Sequence, residues 1–336
     1  MNAITEIAAA PVLDVRGLHL GFESNGRRHK LVNDVSFALG PGRMLALVGE
    51  SGSGKTMTAL SILRLLPDPP VRILEGAVCF DGTDLTRLGP DALRGVRGGG
   101  VAMIFQEPQS ALNPVMSIGR QLREAVSAHE KLPRKALDAR VRELLELVRM
   151  PDPDRIVHEF PHRLSGGMRQ RVLIAIAMAG RPRVLIADEP TTALDVTVQR
   201  EILDMLAGLQ DLFGVAILLI THDLGLVADY ADDVAVMYAG RIVEHGPAAD
   251  VLGDPLHPYT RGLLGARPGL VPSAGGRRPR LVEIKGAVPS DLDAVEGCPF
   301  SPRCPLAGEQ CRLRAPELLV ARDGHLVSCF KQAAET

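Results

Sequence analysis

A chain of 336 residues exceeds the usual size of one domain, and 46% apolar with 23% charged residues is the balance of a folded globular protein, which excludes a disordered or collagen-like chain. A net charge of −2, with 38 Lys and Arg scattered along the chain, excludes an electrostatic grip on a phosphate backbone, so no nucleic acid partner is indicated. Tryptophan is absent and aromatics total 3%, so the core must come from Leu, Val, Ile and Ala, which suits an α/β protein with buried parallel strands.

Segment 1–11 lacks the basic start and apolar run of a secretory signal, which predicts a cytoplasmic location with cysteines reduced or metal-bound. Residues 13–37 alternate apolar with polar and are interrupted by Glu23, Ser24, Asn25 and Gly26, the pattern of two strands and a hairpin. Residues 44–48 form a short apolar strand ending at Gly49, and 56–66 continue as a helix stopped by Pro67, Pro69 and Pro70. Cys79, in a β-rich stretch, reads as a buried small hydrophobe. Residues 117–150 are polar and helical, with Val141, Leu144, Leu145 and Val148 repeating at i, i+3, i+4 and i+7, which predicts a helical insertion. The apolar runs at 172–179 and 215–220 are too short to span a bilayer, which takes roughly 18 to 20 residues. Runs at 184–187 and 216–220 are each followed at once by polar residues, as in buried parallel strands whose carboxyl ends carry function. After about Asp254 the composition turns to Pro, Gly and Arg and holds four of the five cysteines, which marks an appendage.

The sharpest motif is Gly49-Glu50-Ser51-Gly52-Ser53-Gly54-Lys55-Thr56, which fits G-x4-G-K-[ST] and stands between a predicted strand and a predicted helix. Glycines let successive N–H groups face an anion, the helix start adds its positive dipole end, and Lys55 supplies a full charge. Thr56 offers a hydroxyl to Mg²⁺. Downstream, the apolar run at 184–187 ends in Asp188 and Glu189. The first acid suits a magnesium shell, and its neighbour, pointing elsewhere, suits polarisation of an attacking water.

Leu164-Ser165-Gly166-Gly167-Met168-Arg169-Gln170-Arg171 precedes a helical apolar run, and its serine and glycines make a second anion-binding helix start. With the phosphate loop and the paired acids, this segment resembles the signature of the ATP-binding cassette family, and the resemblance covers about residues 12–250. It implies ATP and Mg²⁺ as ligands and a head-to-tail dimer in which Ser165, Gly166 and Gly167 of one subunit cap ATP held by the other. It further implies Gln106 as a Q-loop glutamine touching magnesium and the γ-phosphate, Asp195 as a D-loop residue at the dimer contact, His222 as a switch histidine, and Phe22 as an aromatic stacking on adenine. A solvated amide, a helix cap, a structural histidine and a core phenylalanine are the bland readings of those four positions.

His257-Pro258-Tyr259-Thr260 and the tail beyond resemble the extension of oligopeptide, dipeptide and nickel importer ATPases. Cys298, Cys304, Cys311 and Cys329, spaced C-x5-C-x6-C-x17-C, lack the close C-x2-C pairs of structural zinc, so count alone leaves zinc, a cluster or reduced thiols open. The subfamily resemblance implies a [4Fe-4S] cluster. Together these expectations describe a RecA-like P-loop NTPase core with an antiparallel β subdomain and a helical subdomain at about 107–180. They place a nucleotide-binding domain at 1–254 and a small cysteine-containing extension at 255–336. The implied setting is the cytoplasmic face of the cell membrane. The partners there are two transmembrane permeases, a second homologous ATPase (a different chain or a copy of itself) and an extracytoplasmic solute-binding protein. The rival is a soluble cassette ATPase acting on nucleic acid or ribosomes.

Overall fold

A computed structural model describes residues 10–24, 27–106, 111–192, 194–266, 284–289 and 292–332. Most of the 1–11 segment, the turn residues Asn25 and Gly26, and residues 107–110 at the start of the expected helical insertion lie outside the described residues. The chain divides into two compact units, one of residues 1–39, 44–86 and 221–336, the other of 40–43 and 87–220.

The first unit opens with the hairpin expected from the alternating pattern. Strands Leu13–Ser24 and Arg27–Leu39 pair antiparallel from Leu13↔Leu39 to Ser24↔Arg27, and Val71–Phe80 pairs with the other edge of Leu13–Ser24. A strict period of two would turn Leu18 and Leu20 to solvent after Val15. A register shift between Val15 and Leu18, with Gly17 at φ 52, returns both to the buried face. Cys79 lies in Val71–Phe80 but is only half-buried, in a strand with just two buried residues, Val71 and Val78.

A second sheet in the same unit carries the phosphate loop. Met44–Val48, buried at every position, runs parallel to Asp233–Tyr238, which pairs antiparallel with Arg241–Pro247. The tail then joins this sheet, with His325–Val327 pairing Arg241–Pro247 and Leu319–Arg322 pairing His325–Val327. One core packs Tyr238, Tyr259 and Phe300 with Val48, Val227 and Val251, and Cys298 and Cys304 lie against it.

The helix after the phosphate loop is Lys55–Ile62, shorter than the expected 56–66. Arg64, at φ 50, takes the left-handed position, Leu65 N–H donates to Leu60 O at 2.8 Å, and Arg64 N–H donates to Ser61 O at 3.0 Å. This is a Schellman-type end formed without glycine, so the prolines follow a helix that has already stopped.

In the second unit, Val101–Ile104, Val184–Asp188 and the strand Ala216–Thr221 up to Ile220 pair in parallel, and every residue of Val184–Asp188 is buried. Helices Ile118–Ser127 and Arg134–Leu147 fill the expected polar helical stretch, and Val141, Leu144, Leu145 and Val148 are all buried as their spacing requires. Helices Gly166–Ala177 and Val196–Phe213 complete this unit's long elements.

Candidate functional site

The phosphate loop has the backbone its glycines permit. Gly49 lies at φ 154, where any side chain would run into the Met237 carbonyl, and Gly54, at φ 101, caps the helix in a left-handed conformation. Ser53 O accepts from Gly240 N–H at 3.0 Å, tying the loop to the turn after Tyr238. Lys55, 5% exposed, donates to the carbonyls of Gly49 (2.8 Å) and Glu50 (3.0 Å) and to Ser53 Oγ (3.4 Å). A buried ammonium held on loop carbonyls, above a curl of N–H groups at a helix start, is a preformed site for a polyanion. Thr56 follows as the second residue of that helix, and Ser51 and Gly52 form the exposed top of the loop. His222 is exposed immediately after the strand Ala216–Thr221, in the same unit as the loop.

In the second unit the two acids take different positions. Asp188 is buried at the end of Val184–Asp188, while Glu189 adopts φ 46 and turns out of the strand line. A non-glycine residue in that region is strained, and the surroundings hold it: its N–H donates to Ile220 O at 2.9 Å. The Glu189 carboxylate accepts from the Gln106 amide at 3.1 Å and from the Thr192 hydroxyl at 2.8 Å. The structure thus brings Gln106 and Glu189 together, and adds Thr192, which the sequence reading passed over. Its only signal was a hydroxyl three residues past the acid.

The signature segment also forms a capped helix start. Ser165 Oγ accepts from Met168 N–H at 3.3 Å, and a side chain on Gly167 would come within 2.7 Å of Val198 Cγ1. Asp195 accepts from Val198 N–H at 3.0 Å as the N-cap of Val196–Phe213, the structural reading of that acid. Phe22 stacks on His29 with ring centroids 4.9 Å apart and is only part-buried, so it is not a core phenylalanine.

All four tail cysteines line one small cavity of about 20 Å³ with His257, Phe300 and Phe330. Burial pushes the Cys298 thiol up to about 11 and raises that of Cys304, so both are protonated thiols near neutral pH. Among the described residues no three His, Cys, Asp or Glu side chains are grouped to hold a metal, so the structure does not support the expected [4Fe-4S] cluster as a preformed site.

Two further residues reach the phosphate loop from the tail without any local sequence signal. Tyr259 Oη accepts from Glu50 N–H at 2.9 Å, and Arg303 pairs with the Glu50 side chain across 253 residues of chain.

Residues 32–192 match the family described as ABC transporter, and residues 243–311 match the oligopeptide/dipeptide transporter, C-terminal region. The chain is 46% identical over 320 residues to a probable peptide ABC transporter ATP-binding protein of Sinorhizobium fredii, covering 95% of each. It is 44% identical over 321 residues to the dipeptide transport ATP-binding protein of Bacillus subtilis, covering 96% of this chain and 95% of that one. Among solved structures, a dimeric ATP-binding cassette in a post-hydrolysis state bound to ADP and Pi superposes with a TM-score of 0.63 at 23% identity, over 70% of this chain and 98% of that one. The cbiO1 protein of Clostridium perfringens, part of an ABC transporter complex, superposes with a TM-score of 0.62 at 26% identity, over 73% of this chain and 92% of that one.

Proposed function

The chain belongs to the ATP-binding subunits of the ABC transporter family, and from that premise we propose that it hydrolyses ATP to power uptake of peptides or a related small solute. The observation that carries the reading is the strand, loop and helix of Gly49–Thr56 with its buried Lys55. The peptide cargo is supported by the peptide and dipeptide transport for which the relatives are named and by the match of residues 243–311. The alternative of a soluble ATPase acting on nucleic acid or ribosomes finds no counterpart in those relatives.

In this reading Lys55 and the loop amides bind the phosphates, Gln106 and His222 sense the γ-phosphate, and Glu189 takes the proton from the attacking water. The Gln106 and Thr192 hydrogen bonds hold the Glu189 carboxylate oriented for that task. Thr56, Asp188 and Gln106 are hard oxygen donors that fit Mg²⁺ and would hold it, and the ion supplies neutralisation of the phosphate charge. Ser165, Gly166, Gly167 and Asp195 face the nucleotide of a partner subunit, and Phe22 serves the adenine.

No described helix is long and apolar enough to cross a membrane. The proposed seat at the cytoplasmic face is the one that two transmembrane permeases would supply. A second homologous ATPase and an extracytoplasmic binding protein complete the assembly. Residues 1–254 act as the nucleotide-binding domain and 255–336 as the accessory extension. The [4Fe-4S] reading of that extension rests on the subfamily resemblance: the four thiols line one cavity, but among the described residues they are not grouped to hold a metal. Expression with the permeases in peptide-uptake vesicles tests the function: ATP-dependent accumulation supports it, and accumulation indifferent to this chain contradicts it.

A further inference from the structure

The tail reaches the phosphate loop through one ion pair. The Arg303 side chain, 6% exposed, sends its guanidinium to both carboxylate oxygens of Glu50, Nη1 to Oε2 at 2.7 Å and Nη2 to Oε1 at 3.1 Å. The same guanidinium donates to the carbonyls of Ile284 and Lys285, each at 3.0 Å, and lies 5.7 Å from the Tyr238 ring centroid. A planar fork fixed on so many sides holds its partner in one place.

Glu50 is the second residue of the loop, and its other polar groups are also engaged. Its N–H donates to Tyr259 and its carbonyl accepts from Lys55 Nζ, so the one full positive charge of the loop rests on the residue that Arg303 holds. Glu50 is also an anion at a site built for a polyanion. Arg303 offsets that charge in a part-buried setting, where screening by salt is weak.

We propose that Arg303 is a positioning residue for ATP: it holds Glu50 and neutralises its carboxylate, so that the four-cysteine segment in which it sits sets the nucleotide affinity of the phosphate loop. The inference rests on the reading of Gly49–Thr56 as the ATP phosphate site. Arg303 stands next to Cys304, one of the four thiols on the tail cavity, so a change at those thiols has one covalent step to travel to the ion pair.

The test is Mg-ATP titration and steady-state kinetics on the full chain. Arg303→Ala is expected to raise the ATP Kd and KM about tenfold with kcat within about twofold. Adding Glu50→Gln should recover most of that loss, because the uncompensated carboxylate is gone; a role in packing alone would show no such recovery. Arg322→Ala, which removes the exposed tail pair with Asp254, should leave ATP affinity unchanged. Arg303→Met, which keeps the apolar stem, serves with the same expectation if the alanine variant does not fold. Unaltered ATP affinity in the Arg303 variants, or no recovery in the double variant, overturns the inference while wild type still binds. Failure of wild type to bind ATP overturns the phosphate-loop reading and the inference with it.

Discussion

Gln106 and Glu189 meet at 3.1 Å between amide and carboxylate, joining the second residue past the strand Val101–Ile104 to the residue after Val184–Asp188. These strands are parallel neighbours in register from Val101↔Val184, so both polar ends emerge on the same side. The Thr192 hydroxyl completes the cradle at 2.8 Å. Thr192→Val should lower ATP turnover roughly tenfold, the worth of one hydrogen bond to a charged group, with ATP affinity unchanged. Turnover equal to wild type would remove Thr192 from the catalytic account.

Gly167 is a packing requirement as well as a signature residue, since a Cβ there would lie 2.7 Å from Val198 Cγ1. Gly167→Ala should cost about 1 to 3 kcal/mol of stability from overpacking. Adding Val198→Ala should relieve most of that cost relative to Val198→Ala alone, a coupling that thermal melts of the four proteins measure.

The phosphate loop, the two acids and the parallel strands were legible because each rests on a local requirement: glycines where side chains collide, and apolar runs where both faces are covered. Other features depend on partners remote in sequence or on backbone closures without a compositional mark. The bulge at Gly17, the left-handed stop at Arg64 in place of the proline stop, and the half-exposure of Cys79 are of this kind. Asp195 was open between cap and dimer contact, and the structure displays the cap. Arg303 gave no sign of its partner, because an arginine in a Pro- and Arg-rich tail looks like any solvated charge.

His257 sets a pH limit on the same region. Its Nδ1 accepts from Tyr259 N–H at 3.1 Å, which requires a neutral ring, and complete burial lowers it to about 4 from 6.5 despite the opposing charge of Glu244. Between those values the unfolded chain binds a proton that the folded chain refuses. The contribution is therefore intact above about pH 6.5 and lost as pH falls toward about 4, by about 3 kcal/mol. His257→Asn retains an acceptor without the titration and should flatten the stability profile over that window; an unchanged slope would show that the loss arises elsewhere.

The tail thiols make a compositional prediction. On the [4Fe-4S] reading that the subfamily resemblance implies, anaerobically purified chain should hold about four irons and four sulfides, lost on Cys→Ser substitution at Cys298, Cys304, Cys311 or Cys329. Stoichiometric zinc, or no metal at all, would contradict the cluster.

The most direct test of the account is ATP turnover by the Glu189→Gln chain beside wild type, with nucleotide binding measured on both. Wild type should hydrolyse ATP measurably, and the variant should lose roughly 10² to 10⁴-fold in turnover while it retains ATP binding. Equal turnover in the two proteins would contradict the account.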